Sequence, residues 1–444
     1  MSALRRFRPY PAYKDSRVEW LGEIPAHWEC LALARVTESR CDGPFGSALK
    51  SEHYSYGGVR VVRLQNIGEG RFDGADAVFI NEAYAKGLGD HSVRAGDLLI
   101  AGLGDEGHPV GRACVAPQGI EPAMVKADCF RFRLKSGGAM SAFVSLQLSA
   151  TAHAAAVLAT GATRSRMNLT AMAARKVALP PLPERRAIAA FVERETARID
   201  ALLAKKERLI ELLQEKRTAL INRAVTKGLD PTVPMKDSGV EWLGEIPAHW
   251  EVKPLKHVAD FINGFAFKPD EWIVEGTPII RIENLNGGEN FNFTDRVLPA
   301  KYWADEGTLL FGWSGNRGTS FGPFIWWRPG RHYVNQHIFR VVDFECDSLW
   351  LYWMLRAVTF YVEKQAHGII GMVHITRGEL GSIPVPQVPR REQEQIAAHL
   401  NLQHERLDAL TAKVRDAIDH LKELRTALIS AAVTGKIDVR EEVA

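Results

Sequence analysis

One block of this chain occurs twice, almost unchanged. Residues 14–29 read KDSRVEWLGEIPAHWE and residues 236–251 read KDSGVEWLGEIPAHWE, differing only at Arg17 against Gly239. Chance does not produce such a match, so the chain is an internal duplication, and a repeat constrains architecture before any local propensity does. Fainter echoes follow in the same order. Arg63-Leu64-Gln65-Asn66-Ile67 answers Arg281-Ile282-Glu283-Asn284-Leu285, and GDLLI (96–100) answers GTLLF (307–311). A proline-rich hinge, ALPPLPERR (178–186) or SIPVPQVPRR (382–391), then leads into a long helical pattern. The two patterns end in RTALINRAVTKGLD (217–230) and RTALISAAVTGKID (425–438).

Leaders and helix ends are nearly identical, while the stretches between them have drifted far apart. Simple drift would not spare a leader and spoil its neighbours, so the pattern describes a constant frame carrying two modules that must differ. The expected division is a leader (1–29), a first module (30–180), a central long helix (181–235), a second leader (236–251), a second module (252–389) and a C-terminal long helix (390–444). Within the modules, short β-like runs such as VRVVRL (59–64), DLLIAGL (97–103), TPIIRI (277–282) and HIFRVV (337–342) alternate with Gly-rich turns. Helix-like segments follow at 141–159 and 348–363. The expected fold class is α+β: two similar mixed α/β domains separated by two long antiparallel helices, in a pseudo-twofold repeat.

The helical patterns carry apolar residues at heptad spacing: Ile188, Val192, Ile199, Leu202, Leu209 and Leu213 in one, and Ile396, Leu400, Leu407, Leu410, Val414 and Leu421 in the other. Extra apolar residues, such as Leu203 and Leu212, widen the first stripe, which predicts contact with more than one neighbour. Each pattern runs about 40 residues, or about 60 Å at ~1.5 Å per residue. Pro183 and Pro389 stand at the helix starts, and Gly228 and Gly435 at the stops. The two helices are expected to pair as a coiled coil that acts as a ruler between the modules. Fixed spacing suits a ligand with two recognition sites, and duplex DNA is one, its half-sites recurring every ~34–36 Å.

Composition narrows the field. The chain has 444 residues, 46% hydrophobic and 25% charged, enough for two or three globular units. Its five cysteines contain no C-x-x-C pair, which predicts neither a disulfide framework nor a zinc site and fits a reducing cytoplasm. Neither a secretory signal nor a membrane-spanning apolar run is read. Net charge is only +3. Residues 30–180 hold 17 Lys and Arg against 13 Asp and Glu, whereas 252–389 hold 13 against 14, so any DNA-binding cations must be clustered or supplied by a partner.

No sequence motif offers catalysis. Gly102-Leu103-Gly104-Asp105-Glu106-Gly107 is formally G-x-G-x-x-G, but His108-Pro109 predicts a turn into a strand instead of the helix a dinucleotide site needs. Asp237 with Glu251 and Lys253 resembles a nuclease triad only loosely, and the first copy lacks the lysine. His27 and His249, beside Trp28 and Trp250, are read as packing between leader and helix ends. Most of the second module's tryptophans (Trp303, Trp313, Trp326, Trp327, Trp350 and Trp353) are read as core.

The leaders, the stretch DGPFGSALKSEHY (42–54) with RLQNI after it, the segment INGFAFKPDEW (262–272) with PIIRIENLN (278–286), and the Pro-hinged helices resemble the specificity subunits of type I restriction–modification enzymes over essentially the whole chain. That resemblance implies two target-recognition domains on two conserved helices, reading an asymmetric bipartite sequence in double-stranded DNA. It also implies that the chain has no active site and binds no cofactor of its own. Two modification subunits would methylate adenine with S-adenosylmethionine, and restriction subunits, where present, would use ATP and Mg2+. Base reading needs bidentate donors and acceptors, and phosphate contacts need cations and free N–H groups. The candidate DNA-binding residues are Ser47, Lys50, Arg63, Gln65, Asn66, Arg164 and Arg166 in the first module. In the second they are Lys268, Arg281, Asn284, Asn316, Arg317 and Gln336. For Gln65 and Asn66 a self-satisfied turn is an equal reading. The competing function is a coiled-coil scaffold that organises two protein partners without touching DNA.

Overall fold

The computed structural model describes residues 7–45, 48–135, 137–159, 165–366 and 371–443. The chain forms two compact units, and neither coincides with one copy of the repeat. One comprises Met1–Lys206 with Asp416–Ala444, the other Glu207–Arg415. Each unit therefore holds one leader, one module, the start of one long helix and the end of the other.

The leaders fold alike because their sequences do. Tyr13–Asp15 pairs antiparallel with Glu23–Pro25, and Met235–Asp237 pairs with Glu245–Pro247 in the same register. The single difference between the copies falls at a left-handed position. Arg17 has φ +57° and Gly239 has φ +68°, each with its N–H on the preceding aspartate, Asp15 or Asp237. Glycine adopts that conformation freely, and arginine does so at a steric cost.

From each leader a tryptophan reaches the start of a long helix. Trp28 is fully buried and donates its indole N–H to Glu184 Oε1 at 2.9 Å, while His27 Nε2 lies 2.8 Å from the other carboxylate oxygen. In the second unit Trp250 donates to Glu392 at 3.1 Å and His249 stands 2.7 Å from it. Both glutamates occupy a first helical turn, where the helix dipole favours an anion. The same tryptophans receive the other helix's end. A Cβ on Gly435 would meet Pro25 at 2.3 Å and the Trp28 ring at 3.3 Å, and one on Gly228 would meet the Trp250 ring at 3.4 Å. The histidines thus pack leader against helix, as expected, but at the helix starts and through a shared glutamate.

The long helices are Leu182–Lys227 and Arg390–Val433. In the first unit Ile188, Phe191 and Val192 share a core with Leu428 and Ala431–Val433, and Arg425 bonds Asp200 at 3.0 Å. In the second, Ile221, Ala224 and Val225 share a core with Ile396, Ala397 and Leu400, and Arg217 bonds Asp408. In each unit the helices run antiparallel. The heptad stripe is only partly buried: Ile199, Leu213, Leu407 and Val414 are, but Leu202, Leu209 and Leu410 are 37–43% exposed. A straight 3.6-residue helix drifts out of a 3.5-residue seam, and two helices alone cover a narrow strip.

The modules are two copies of one fold. The first has a four-stranded antiparallel sheet in the order Ala113–Val115, Leu98–Ala101, Cys129–Leu134, Thr37–Cys41. The second repeats it as Gly322–Ile325, Leu309–Gly312, Ile338–Val342, Asp260–Asn263. A second sheet in each contains one parallel pair, Val59–Val62 with Ala123–Val125 or Thr277–Ile280 with His332–Val334. The helix expected over 141–159 is Gly138–Ala150, followed after a break by a 3-10 turn. Its counterpart is Ser348–Gln365. Gln147, 1% exposed, donates to Ala178 O at the hinge and to Val433 O at the helix end, joining module to frame. Trp326, Trp350 and Trp353 are core, Trp303 and Trp313 are half-buried, and Trp327 is exposed. No helix among the described residues is long and apolar enough to cross a membrane.

Two stability outcomes follow, both readable by denaturant unfolding. Arg17→Gly removes the left-handed strain and is expected to stabilise the first unit by up to about 1 kcal/mol. Glu184→Ala strands the buried Trp28 N–H and is expected to cost about 1–3 kcal/mol, with Glu184→Gln, which keeps an acceptor, costing less.

Candidate nucleic-acid interface

Each module begins with a glycine pressed onto a strand end. A Cβ on Gly43 would lie 2.1 Å from the Lys126 backbone, and one on Gly264 would lie 2.2 Å from that of Asn335, so no other residue fits either place. The chain then makes a 3-10 turn, Ser51–His53 or Pro269–Glu271, with Lys50 or Lys268 as its N-cap and Tyr54 or Trp272 as its C-cap. Both lysines are exposed.

An arginine just past a following strand, Val59–Val62 or Thr277–Ile280, reaches over each C-cap aromatic. Arg63 stands 5.8 Å from the Tyr54 ring and Arg281 stands 4.8 Å from the Trp272 ring. Lys126 donates to the Tyr54 hydroxyl at 3.1 Å, completing a cation–aromatic–cation group in the first module. These contacts orient the guanidinium groups and keep their charge near the surface. Side-chain acceptors also hold them: Arg63 and Gln65 both bond the Asp76 carboxylate, and Arg281 lies 3.2 Å from the Glu283 carboxylate and donates to the Asn292 amide oxygen at 2.6 Å.

Asn66 and Asn284 organise their own loops, the turn reading that stood equal for Asn66 and a different job from the one expected of Asn284. They are 0% and 1% exposed. Asn66 accepts from Arg63 N–H at 2.8 Å and donates to Asp73 O and Asp76 O. Asn284 accepts from Arg281 N–H at 2.8 Å and donates to Gly288 O and Asn290 O. With acceptor and both donor hydrogens committed inside the loop, neither amide is free to read a base, and both are corrected to loop-organising residues.

The remaining candidates gather at a second place. Arg166 bridges Leu103 through the main chain and grips Asp128 through Nε at 3.1 Å and Nη2 at 2.9 Å. The Gly102–Gly107 run is a tight turn, with Asp105 N–H on His108 O and Gly107 N–H on the Asp105 carboxylate, and a strand begins at Ala113. In the second module the strand Ser314–Asn316 pairs with Met372–His374. Asn316 and Arg317 are exposed at its end, with Arg317 donating to Ala366 O at 2.9 Å. Gln336 is exposed and its carbonyl accepts the Trp313 indole N–H at 2.8 Å. Ser47 and Arg164 lie outside the described residues.

Sequence reading missed Tyr54, Lys126 and Trp272. A signal for the aromatics was present, since each stands four residues after a singled-out lysine; Lys126 has no local signal, because its strand meets Tyr54 only in the fold.

A family model for the type I restriction modification DNA specificity domain matches residues 247–420. The type I restriction enzyme MjaVIII specificity subunit of Methanocaldococcus jannaschii is 33% identical over 127 residues, 29% of this chain and 28% of that protein. A second protein of that organism, provisionally named the type I restriction enzyme MjaX specificity subunit, is 23% identical over 433 residues, covering 95% of this chain and 96% of the relative. Residues 247–420 thus match the type I DNA specificity domain, and the chain over its length is similar to type I specificity subunits. A solved structure concerned with complex assembly and conformational transition of the type I R-M system has the same fold. Its TM-score is 0.68 at 15% identity, over 92% of this chain and 98% of that one. The family match is uneven, since the MjaVIII similarity spans under a third of that relative's length.

Electrostatics distinguish the modules within the shared family fold. Asp42, half-buried with Asp128 nearby, has its pKa pushed up to about 6, chiefly by burial. Its second-module counterpart is Asn263, beside Gly264. A carboxyl whose folded pKa is raised stabilises the fold below its unfolded value of 3.8 and loses that contribution as pH rises through about 6. Asp42→Asn is therefore expected to raise unfolding stability at pH 7.5, with the gain vanishing below pH ~4. Paired melts of both proteins at the two pH values check this.

Proposed function

We propose that this chain is the DNA-reading subunit of a type I restriction–modification complex in the cytoplasm. Each module reads one word of an asymmetric, bipartite duplex target, and the helices between them set the unread gap. Catalysis belongs to other chains: two modification subunits that methylate adenine from S-adenosylmethionine, and restriction subunits that consume ATP with Mg2+. The observation that carries this reading is the pairing of one backbone fold with two different polar edges on near-identical frames. A protein scaffold accounts for the frame but leaves the divergence of the modules unexplained.

Lys50, Arg63, Gln65 and Arg166, and Lys268, Arg281, Asn316, Arg317 and Gln336, are the DNA contacts we propose among the described residues, with Tyr54, Lys126 and Trp272 added. Arginines held by aspartate or glutamate are presented as pre-oriented forks, the geometry that phosphate and guanine accept. The modification subunits would dock on the frame. In the second unit a groove of about 870 Å³ lies between Thr218, Asn222 and Thr226 of the helix end, Trp242 of the leader, and Phe360 and Tyr361 of the module. Exposed Leu209, Leu212, Leu402 and Leu410 on the long helices offer further apolar surface for a partner.

The test is methylation-sensitive sequencing of DNA from cells that express this chain with its modification subunit. Methylated adenines confined to one gapped, asymmetric motif are expected, and replacing residues 30–180 with another module should change one word only. Active partner subunits with no such motif would favour the scaffold.

A further inference from the structure

The two modules can be matched residue by residue on main-chain hydrogen bonds. In the first, Gly102 N–H donates to Asp128 O at 2.8 Å, Met167 N–H to Gly102 O at 2.9 Å and Cys129 N–H to Lys126 O at 3.0 Å. In the second, Trp313 N–H donates to His337 O at 3.2 Å, Ile375 N–H to Trp313 O at 3.0 Å and Ile338 N–H to Asn335 O at 3.0 Å. Gly43 on Lys126 and Gly264 on Asn335 complete the correspondence. It pairs Asp42 with Asn263, Asp128 with His337, Arg166 with His374 and Gly102 with Trp313.

The main chain at this place is the same, while the polar side chains differ: Asp128 against His337, Arg166 against His374, and charged Asp42 against neutral Asn263. In the first module Arg166 grips Asp128, with the Asp42 carboxyl close enough to feel both charges. In the second, the Trp313 ring makes edge contacts with His374, at 4.7 Å, and with His337, at 5.5 Å. Arg166, His337 and His374 are exposed. Positions that serve the fold behave otherwise across the duplication. Asn66 and Asn284 keep the same kinds of bond, one accepted N–H and two loop carbonyls, and Glu184 and Glu392 keep the same His-Trp pair. A phosphate contact is also the same for every sequence, so it calls for a hydrogen-bond donor in both copies, which a carboxylate such as Asp128 does not supply. Fixed backbone with exchanged, solvent-facing chemistry is what a base-edge contact requires, because the edges differ from word to word.

We infer that the Asp42–Asp128–Arg166 site of the first module, and Asn263, His337, His374 and Trp313 in the second, are base-reading positions of the two half-words. The inference rests on the DNA-reading function proposed above. Arg166 is the reader in the first module, suited to the paired acceptors of guanine in the major groove, and Asp128 is the positioning residue that holds its fork. In the second module each exposed imidazole offers one N–H donor and one ring-nitrogen acceptor when neutral, and Trp313 fixes their placement.

The experiment uses the full chain in complex with its modification subunits. The motif methylated by wild-type is determined first, and competition binding then measures the penalty for each single-base change in that duplex. Arg166→Ala is expected to lower discrimination at one position of one half-word by roughly ten- to a hundredfold. His374→Ala should relax one position in the other half-word, with the remaining positions unchanged. Arg166→Lys and His374→Gln are gentler variants against misfolding, and Arg166→Lys should lose discrimination while keeping much of the overall affinity. Affinity that falls equally for all sequences would mark phosphate contacts and overturn the inference, as would variants that discriminate like wild-type. A wild-type complex with no bipartite motif would fail at the first step and refute the underlying function itself.

Discussion

A single carboxylate at the start of each long helix, Glu184 or Glu392, is the joint on which the architecture depends. It sits in the positive first turn of its helix and takes the indole N–H of a leader tryptophan and a contact from the neighbouring histidine. The same tryptophan receives the glycine that ends the other long helix. One indole therefore fixes the start of one helix, the end of the other, and the leader that carries it. A carboxylate, a buried N–H and a bare glycine face can seldom be replaced one at a time, since each loss strands a polar group or forces a clash. That is why leaders, hinges and helix ends stayed alike while the modules drifted.

The interleaving has a further consequence. Because each unit takes the start of one helix and the end of the other, residues 416–444 complete the same unit as residues 1–206. Arg8 pairs with Asp438 through the main chain, and Lys436 donates to Glu23 O at 2.8 Å. The module hangs on this frame at the hinge strands, Glu29–Ala32 with Lys176–Leu179 and Glu251–Pro254 with Pro384–Gln387. Those pairings leave the loops around Lys126–Asp128 and Asn335–His337 free to vary in chemistry without disturbing the support.

Much of this was legible in the sequence because it was written twice. The repeat gave the leaders, the hinges, both long helices and the equivalence of the modules, and hydrophobic runs located the central strands. Short strands such as Tyr54–Ser55 and His332–Val334 escaped, since two or three residues carry no periodicity. The heptad reading placed Leu202, Leu209 and Leu410 in a seam that a two-helix pair is too narrow to cover. Site residues were hardest. For Asn66 base reading and a self-satisfied turn stood level until the fold brought Asp73 and Asp76 round to it, and Arg63 and Arg166 gained partners 13 and 38 residues away. Such pairings are properties of topology, and local sequence does not contain them.

The central claim is that two unlike modules on one frame read two words at one spacing. It is tested most directly by presenting the assembled complex with a pool of randomised duplexes, recovering the bound fraction and sequencing it. The account predicts two different short words separated by a single gap length. Recovery of one word alone, of two words at freely varying separation, or of no enriched sequence would contradict it.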